Sequence, residues 1–138
     1  MKTKAPIAPP FQLRLDLRSG VPVYRQIIDQ VLAGIASAAL AAGAQLPTVR
    51  QLAVDLAINP NTVVRAYREL EIRGILETHQ GTGTFVSTKK VKRDEVERQR
   101  QLTQLAGEFL ARAGAAGFTG HELLDHLKEL LADHQQRR

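Results

Sequence analysis

The first forty residues show an extended pattern followed by a helical one. Apolar and polar residues alternate over residues 11–17, which predicts a short strand within an N-terminal arm of residues 1–20. Pro22 suits the first turn of a helix, and Gly43 is a suitable exit from it. Between them, apolar residues recur at helical spacing, at Tyr24, Ile27, Ile28, Val31 and Ile35.

Two further helices are predicted close together between residues 48 and 74. Thr48 and Gln51 have the spacing of a capping box, which opens the first of them. Asn59 is a strong N-cap residue, and Pro60 suits the first helical position after it. Gly74 is a typical residue at which to end this third helix. Because only two or three residues separate the pair, they are expected to form a helix-turn-helix.

The third helix has an apolar face and a polar face. At about 100° per residue, its apolar positions fall together on one side and its polar positions on the other. The expected core face is Val63, Ala66, Tyr67 and Leu70. The expected free face is Asn61, Thr62, Arg65, Arg68 and Glu69.

A β-hairpin is predicted directly after this helix. Residues 75–78 and 84–87 are β-prone, and a glycine-bearing tip at residues 79–83 joins them. A helix-turn-helix followed by such a hairpin is a winged helix. The fold class is therefore mainly α with a small β-wing: a winged helix-turn-helix followed by a two-helix C-terminal element.

That C-terminal element is predicted from the apolar spacing of residues 89–138. An Ala- and Gly-rich break at residues 113–118 separates two amphipathic helices, and Thr119 and Glu122 form a second capping box. A hairpin of two helices cannot cover both apolar stripes, so we expect them to be buried in a two-fold homodimer. The expected dimerisation residues are Leu102, Leu105, Phe109, Leu123, Leu127, Leu130 and Leu131.

The amino-acid composition and the distribution of charge exclude some kinds of site and favour a cytoplasmic location. The 138 residues include no cysteine, which excludes disulfides and thiolate metal sites. Neither a signal peptide nor a membrane span is recognisable, so we expect a cytoplasmic protein without a membrane partner. The net charge is +5, but residues 21–88 are neutral and the excess lies in residues 1–20 and 89–100. The basic run at residues 89–93 suits either a solvated linker or a contact with flanking phosphates.

Three motifs resemble the GntR family of bacterial transcription regulators. They are LPTVRQLA at residues 46–53, NPNTVVRAYRELE at residues 59–71 and GTGTFV at residues 81–86, and VPVYRQI at residues 21–27 resembles the family's first-helix signature. The tail resembles the YtrA-like subgroup, whose C-terminal part is a helical dimerisation element. Other branches carry a larger effector-binding domain, for which we expect no room in this chain.

The resemblance implies DNA contacts from the second helix, the start of the third helix and the wing tip. At those positions this sequence has Arg50, Asn59, Asn61, Thr62, Arg65, Gln80, Gly81 and Thr82, and Arg68 lies on the same free face as Arg65. A cation near a helix N-terminus is disfavoured by the helix dipole, which makes a purely structural role for Arg50 less suitable than a DNA contact. Arg65 and Arg68 can grip guanine O6 and N7, they can pair with Glu69 and Glu71, or they can lie in solvent.

Two other classes of function have less support. A winged helix used for protein–protein contact without specific DNA binding agrees with the neutral charge of residues 21–88, whereas Arg50 and Arg65 argue against it. An enzyme is not expected, because the chain lacks a nucleophile–base constellation and a phosphate-cradling loop. No cofactor or metal is expected either, because Glu122, Asp125 and the histidines at positions 121, 126 and 134 have no familiar ligand spacing.

The sequence thus predicts an arm (residues 1–20), a winged helix-turn-helix DNA-binding domain (21–88) and a helical dimerisation tail (89–138). The predicted function is that of a repressor that binds double-stranded DNA as a homodimer at an inverted-repeat operator. Resemblance to the subgroup implies control of a nearby transport operon, often including the regulator's own gene. No motif identifies a small-molecule effector.

Overall fold

The computed structural model describes residues 11–89 and 94–136 in two compact units, divided after residue 88. The first unit contains α1 (Val23–Ala36), α2 (Val49–Leu56), α3 (Pro60–Ile72), β1 (Leu76–His79) and β2 (Gly83–Val86). The second contains α4 (Glu95–Ala115) and α5 (Gly120–Gln136). The predicted fold class, mainly α with a small β-wing, is confirmed. Residues 1–10 of the predicted arm and 90–93 of the basic run lie outside the described residues.

Packing of α1 and α2 against α3 forms the core of the first unit. The predicted core face of α3 is confirmed, because all four of its residues are buried. Ile27, Ile28 and Val31 of α1 are fully buried against the same core. None of the described helices has the length and apolar character needed to cross a lipid bilayer.

The first helix ends at Ala36, well before Gly43. The hydroxyl of Ser37 and the backbone N–H of Leu40 both donate to the carbonyl oxygen of Gly34, at 3.2 and 2.9 Å. This folds the chain back so that Leu40 is buried in the core. The predicted end of α1 at Gly43 is therefore too late in the chain. The helix ends earlier because Leu40 turns back into the core, and this burial depends on tertiary packing.

The predicted strand over residues 11–17 is wrong. Residues 11–16 form no regular secondary structure and Leu17 begins a turn. The backbone of Arg14 and Asp16 pairs with two glutamine side chains of α1 instead of with another strand. Gln30 accepts from the Arg14 N–H at 2.9 Å and donates to the Arg14 carbonyl at 2.6 Å. Gln26 does the same for Asp16 at 2.8 and 2.9 Å, and also donates to the Val21 carbonyl at 2.9 Å. A primary amide offers one donor group and one acceptor, as a strand backbone does.

Gln26 is the buried member of this pair, which leads to a test of stability. Replacing Gln26 by Ala should lower the free energy of unfolding by roughly 2–3 kcal/mol, because part-buried backbone groups of Asp16 and Val21 lose their partner. Gln30→Ala is the matched control, since its hydrogen bonds are exposed and water can replace them. It should cost less than about 1 kcal/mol. Equal losses in urea unfolding of the two variants would contradict this account.

The predicted caps of α2 and α3 are confirmed. Thr48 and Gln51 form the complete capping box at the start of α2, and Asn59 Oδ1 accepts from the Asn61 N–H at 2.8 Å at the start of α3. The turn between the two helices contains Ala57 in the left-handed region, at φ 53°. Gly74 follows α3 at φ +76°, a conformation that glycine adopts without steric cost.

The hairpin is present, with both strands shifted by one residue from the predicted bounds. Its antiparallel register pairs Leu76 with Val86 and His79 with Gly83. The N–H of Ile75 is used by the end of α3, where it donates to the Leu70 carbonyl at 2.9 Å. For this reason the strand begins one residue later than β-propensity alone predicts.

The second unit is a helical hairpin that leaves its apolar stripe uncovered. The Glu122 N–H donates to Thr119 Oγ1 at 3.1 Å, as the predicted capping position requires. α4 and α5 approach closely near Gly120, where an added Cβ would lie 2.9 Å from Leu110 Cδ2. Ala113 is nevertheless the only buried apolar residue among the described side chains of this unit. Of the expected dimerisation residues, Leu123 is half-buried, and the other six are 44–58% exposed.

Candidate nucleic-acid interface

The free face of α3 is exposed as the helical spacing predicts. Asn61, Arg65 and Arg68 are exposed, and Thr62 and Glu69 are half-buried. Because the opposite face of the same helix is packed into the core, these side chains extend from a rigid support. This is the geometry required of a helix that enters a groove of DNA.

Neither arginine of this face is neutralised by the nearby carboxylates. Glu69 lies 3.8 Å from Arg73, the C-cap residue of α3, and Glu71 accepts a hydrogen bond from Thr78 Oγ1 at 2.6 Å. The alternative in which Arg65 and Arg68 pair with these two glutamates is therefore wrong. Within the described part of the chain, Arg65 and Arg68 make no ion pair, so their guanidinium N–H groups can donate to a partner molecule.

Arg65 has one specific contact, which the sequence did not predict. Its guanidinium carbon lies 3.7 Å from the centroid of the Tyr24 ring. Tyr24 is the second residue of α1, and its half-buried side chain packs against the core. Arg65 is therefore exposed and held at the same time, since a cation over an aromatic face is attracted by the ring quadrupole.

Arg50 is the second residue of α2 and is exposed. No acidic residue occurs in the first turn of that helix to offset its charge. Tyr67 fixes the position of this helix end relative to α3, because its hydroxyl donates to the Pro47 carbonyl at 2.7 Å. Burial raises the pKa of Tyr67 above the usual tyrosine range, so the hydroxyl keeps its proton and remains a donor.

The wing tip is an exposed three-residue turn between β1 and β2. Gln80, Gly81 and Thr82 are all exposed, and the Thr82 N–H donates to the His79 carbonyl at 3.0 Å. Gly81 has φ +80°, which favours glycine. The predicted hairpin tip is thus present, and its backbone is open to a ligand.

Residues 43–46 pair with strand β2 of the wing, a role that the sequence did not indicate. The Leu46 N–H donates to the Thr84 carbonyl at 2.8 Å, and the Val86 N–H donates to the Ala44 carbonyl at 2.8 Å. Gln45 Nε2 reaches the tip and donates to the Thr82 carbonyl at 3.1 Å. A Cβ at position 83 would lie 2.7 Å from that amide nitrogen, so Gly83 is needed for this approach. Gln45 is a polar residue in a loop, and nothing in the local sequence predicted its hydrogen bond to Thr82.

The histidines and carboxylates do not gather into a metal site within the described residues. No group of three His, Asp or Glu side chains comes together there. His126 lies 3.6 Å from Glu129 on α5, and His79 lies 3.6 Å from Glu77 on the wing. The side chain of His134 lies outside the described residues.

Comparison with known proteins identifies the group to which these features belong. The profile of the bacterial regulatory proteins of the gntR family matches residues 23–86. The HTH-type transcriptional repressor YtrA of Bacillus subtilis is 37% identical over 122 residues, which cover 88% of this chain and 93% of YtrA. YhcF, an uncharacterized HTH-type transcriptional regulator of the same organism, is 37% identical over 113 residues, which cover 82% of this chain and 93% of YhcF.

A solved structure shows the same similarity in three dimensions. It is YtrA from Sulfolobus acidocaldarius, a GntR-family transcription factor, with a TM-score of 0.54 and 31% identity. The match covers 72% of this chain and 97% of that chain. These relatives are named as transcription factors or regulators, and none of them is named as an enzyme.

Proposed function

Since this chain belongs to the GntR family of DNA-binding transcription regulators, we propose that it is a sequence-specific repressor that binds an inverted-repeat operator as a homodimer. The observation that carries this proposal is the free face of α3, where Arg65 and Arg68 are exposed and have no ion pair among the described residues. Cations left unpaired on a rigid helix face are suited to the base edges and phosphates of DNA.

In this proposal α3 lies in the major groove. Asn61, Thr62, Arg65 and Arg68 face the base edges, and Arg50 meets the phosphate backbone from the start of α2. Asn59 has a more limited part, because its Oδ1 already caps α3 and only its amide group is left to donate. The wing tip, Gln80, Gly81 and Thr82, contacts the backbone or the adjacent groove.

The homodimer is supported by the exposed stripe of the second unit. Six large apolar side chains at expected dimerisation positions are about half exposed, and the hairpin offers nothing among its described residues to cover them. Several large apolar side chains exposed at helical spacing are typical of a protein–protein interface. A two-fold axis through it would place two copies of α3 on two half-sites, which makes the operator an inverted repeat.

Repression is supported by the name of the relative YtrA from Bacillus subtilis, an HTH-type transcriptional repressor. As the resemblance to its subgroup implies, we place the target in a nearby transport operon, with the protein acting in the cytoplasm. Footprinting of bound sites across the source genome tests this part of the proposal. Sites confined to genes remote from the regulator's own gene would contradict it.

Selection of bound duplexes from a random DNA pool tests sequence-specific binding. The full-length protein should enrich a motif with two inverted half-sites, and it should bind that motif roughly 10³-fold or more tighter than scrambled DNA at physiological salt. The rival function is a protein-interaction module, which the neutral charge of residues 21–88 favours. Failure to enrich any motif, with equal weak binding to all duplexes, would contradict sequence-specific binding and favour that rival.

Arg50 should bind the phosphate backbone of DNA, and its contribution to affinity should therefore not depend on the base sequence. Replacing Arg50 by Ala should weaken binding to selected and scrambled duplexes alike, and lower the slope of log K against log salt by about one for each phosphate that is no longer neutralised. Arg50→Lys is the matched control, since a point charge suffices for a phosphate and the slope should be kept. If Arg50→Ala alters base preference while leaving the salt slope unchanged, Arg50 reads bases instead.

A further inference from the structure

The contact between Tyr24 and Arg65 joins α1 to the helix that carries the proposed base-reading face. The Arg65 guanidinium carbon lies over the Tyr24 ring, 3.7 Å from the ring centroid. The N–H groups of a guanidinium lie in its plane and point outward from its edge. Stacking therefore restricts the orientation of Arg65 without using any of its hydrogen-bond donors.

Tyr24 is itself held by the elements around it. Its ring packs against the core, and it lies near the start of α1, where Gln26 joins the helix to Asp16 and Val21 by hydrogen bonds. No acidic group among the described residues competes for Arg65, because Glu69 pairs with Arg73. The arginine is thus oriented by an uncharged partner that leaves its full charge available.

We infer that Tyr24 is a positioning residue for base recognition: its ring holds the Arg65 guanidinium edge-on so that the two donors of one edge can bind O6 and N7 of one guanine in each half-site. This inference rests on the proposed function, because it requires that α3 enters the major groove. A flexible arginine must lose side-chain freedom when it binds, and restricting the side chain beforehand reduces that cost. Tyr24 therefore contributes to the selection of a base that it does not itself contact.

The test uses full-length protein and the duplex selected by the parent protein. A second duplex has the guanine assigned to Arg65 replaced by 7-deazaguanine, which lacks the N7 acceptor. Tyr24→Leu, which keeps an apolar side chain but removes the ring, should reduce the preference for the unmodified duplex by about 3- to 10-fold. Tyr24→Phe keeps the ring and should stay within about twofold of the parent.

A double variant separates positioning from structural support. In an Arg65→Ala background, Tyr24→Leu should cause no further loss of preference, because the guanidinium that it orients is already absent. If Tyr24→Leu does not fold, Tyr24→Trp tests the role of the ring in the opposite direction, since a larger ring should keep or increase the preference. Thermal melting of each variant shows which of them are folded.

Several results would overturn the inference. If Tyr24→Leu keeps the parental preference for the unmodified duplex, the ring does not orient Arg65 on DNA. If Tyr24→Leu is unfolded, loss of that preference in Tyr24→Trp would lead to the same conclusion. Equal losses in Tyr24→Phe and Tyr24→Leu would assign the effect to the Tyr24 hydroxyl. A loss that persists in the Arg65→Ala background would make Tyr24 a structural residue. If the parent protein selects no duplex, the proposed function is overturned as well. This outcome is distinguishable from failure of the Tyr24 inference alone, in which the parent protein still selects a duplex.

Discussion

A full-length protein carrying both Phe109→Glu and Leu127→Glu should be monomeric at micromolar concentration, where the parent protein should be a dimer. Both side chains are exposed on the uncovered stripe of the second unit, at 54% and 44%. A carboxylate buried in an apolar interface without a partner is strongly unfavourable, so the dimer should dissociate. Because two linked half-site interactions supply avidity, affinity for the operator should fall by about 10²-fold or more.

The control for this experiment carries the same two charges on other faces of the same helices. Ala111 and Ala132 are exposed, and Ala111 is about 200° around α4 from Phe109. Ala111→Glu together with Ala132→Glu should leave both the dimer and its affinity for the operator close to those of the parent. Removal of residues 92–138 should reproduce the monomer with weak operator binding. Light scattering that shows a monomeric parent protein, or a dimer after Phe109→Glu and Leu127→Glu, would contradict the proposed interface.

Replacing Arg65 by Ala should cost roughly 1–3 kcal/mol of binding free energy per half-site and relax preference at one base position. The side chain is exposed, lies opposite the buried face of α3 and has no ion pair among the described residues. We therefore expect the loss to appear in binding and not in the melting temperature. Binding assays on duplexes varied at each position of the half-site measure both the affinity and the preference.

Two variants control for the charge of Arg65. Arg65→Lys keeps the charge but has neither the planar fork nor the same stacking on Tyr24, so it should restore nonspecific affinity without restoring base preference. Arg73→Ala removes an equal charge just beyond the far end of α3, where Arg73 pairs with Glu69, and should leave the preference unchanged. Equal loss of preference in Arg65→Ala and Arg73→Ala would show that net charge, and not a contact from Arg65, governs selection.

Local sequence determined the elements of this protein and the faces of its third helix. The capping box of Thr48 and Gln51, and the N-cap at Asn59, act within a single turn and were predictable from residue type and spacing. The buried face of α3 was predictable for the same reason, since helical periodicity alone places Val63 and Leu70 on one side. These features depend on neighbours three or four residues apart.

Only the tertiary structure decided how those elements support the candidate interface. Arg14 and Asp16 pair with Gln30 and Gln26 of α1, and residues 43–46 pair with strand β2 of the wing. Arg65 stacks on Tyr24, which is 41 positions earlier in the chain. Alternation and periodicity show which residues share a face, but they do not show which partner that face meets. The contact of Arg65 with Tyr24 follows from the packing of α1 on α3, and for that reason no local pattern contained it.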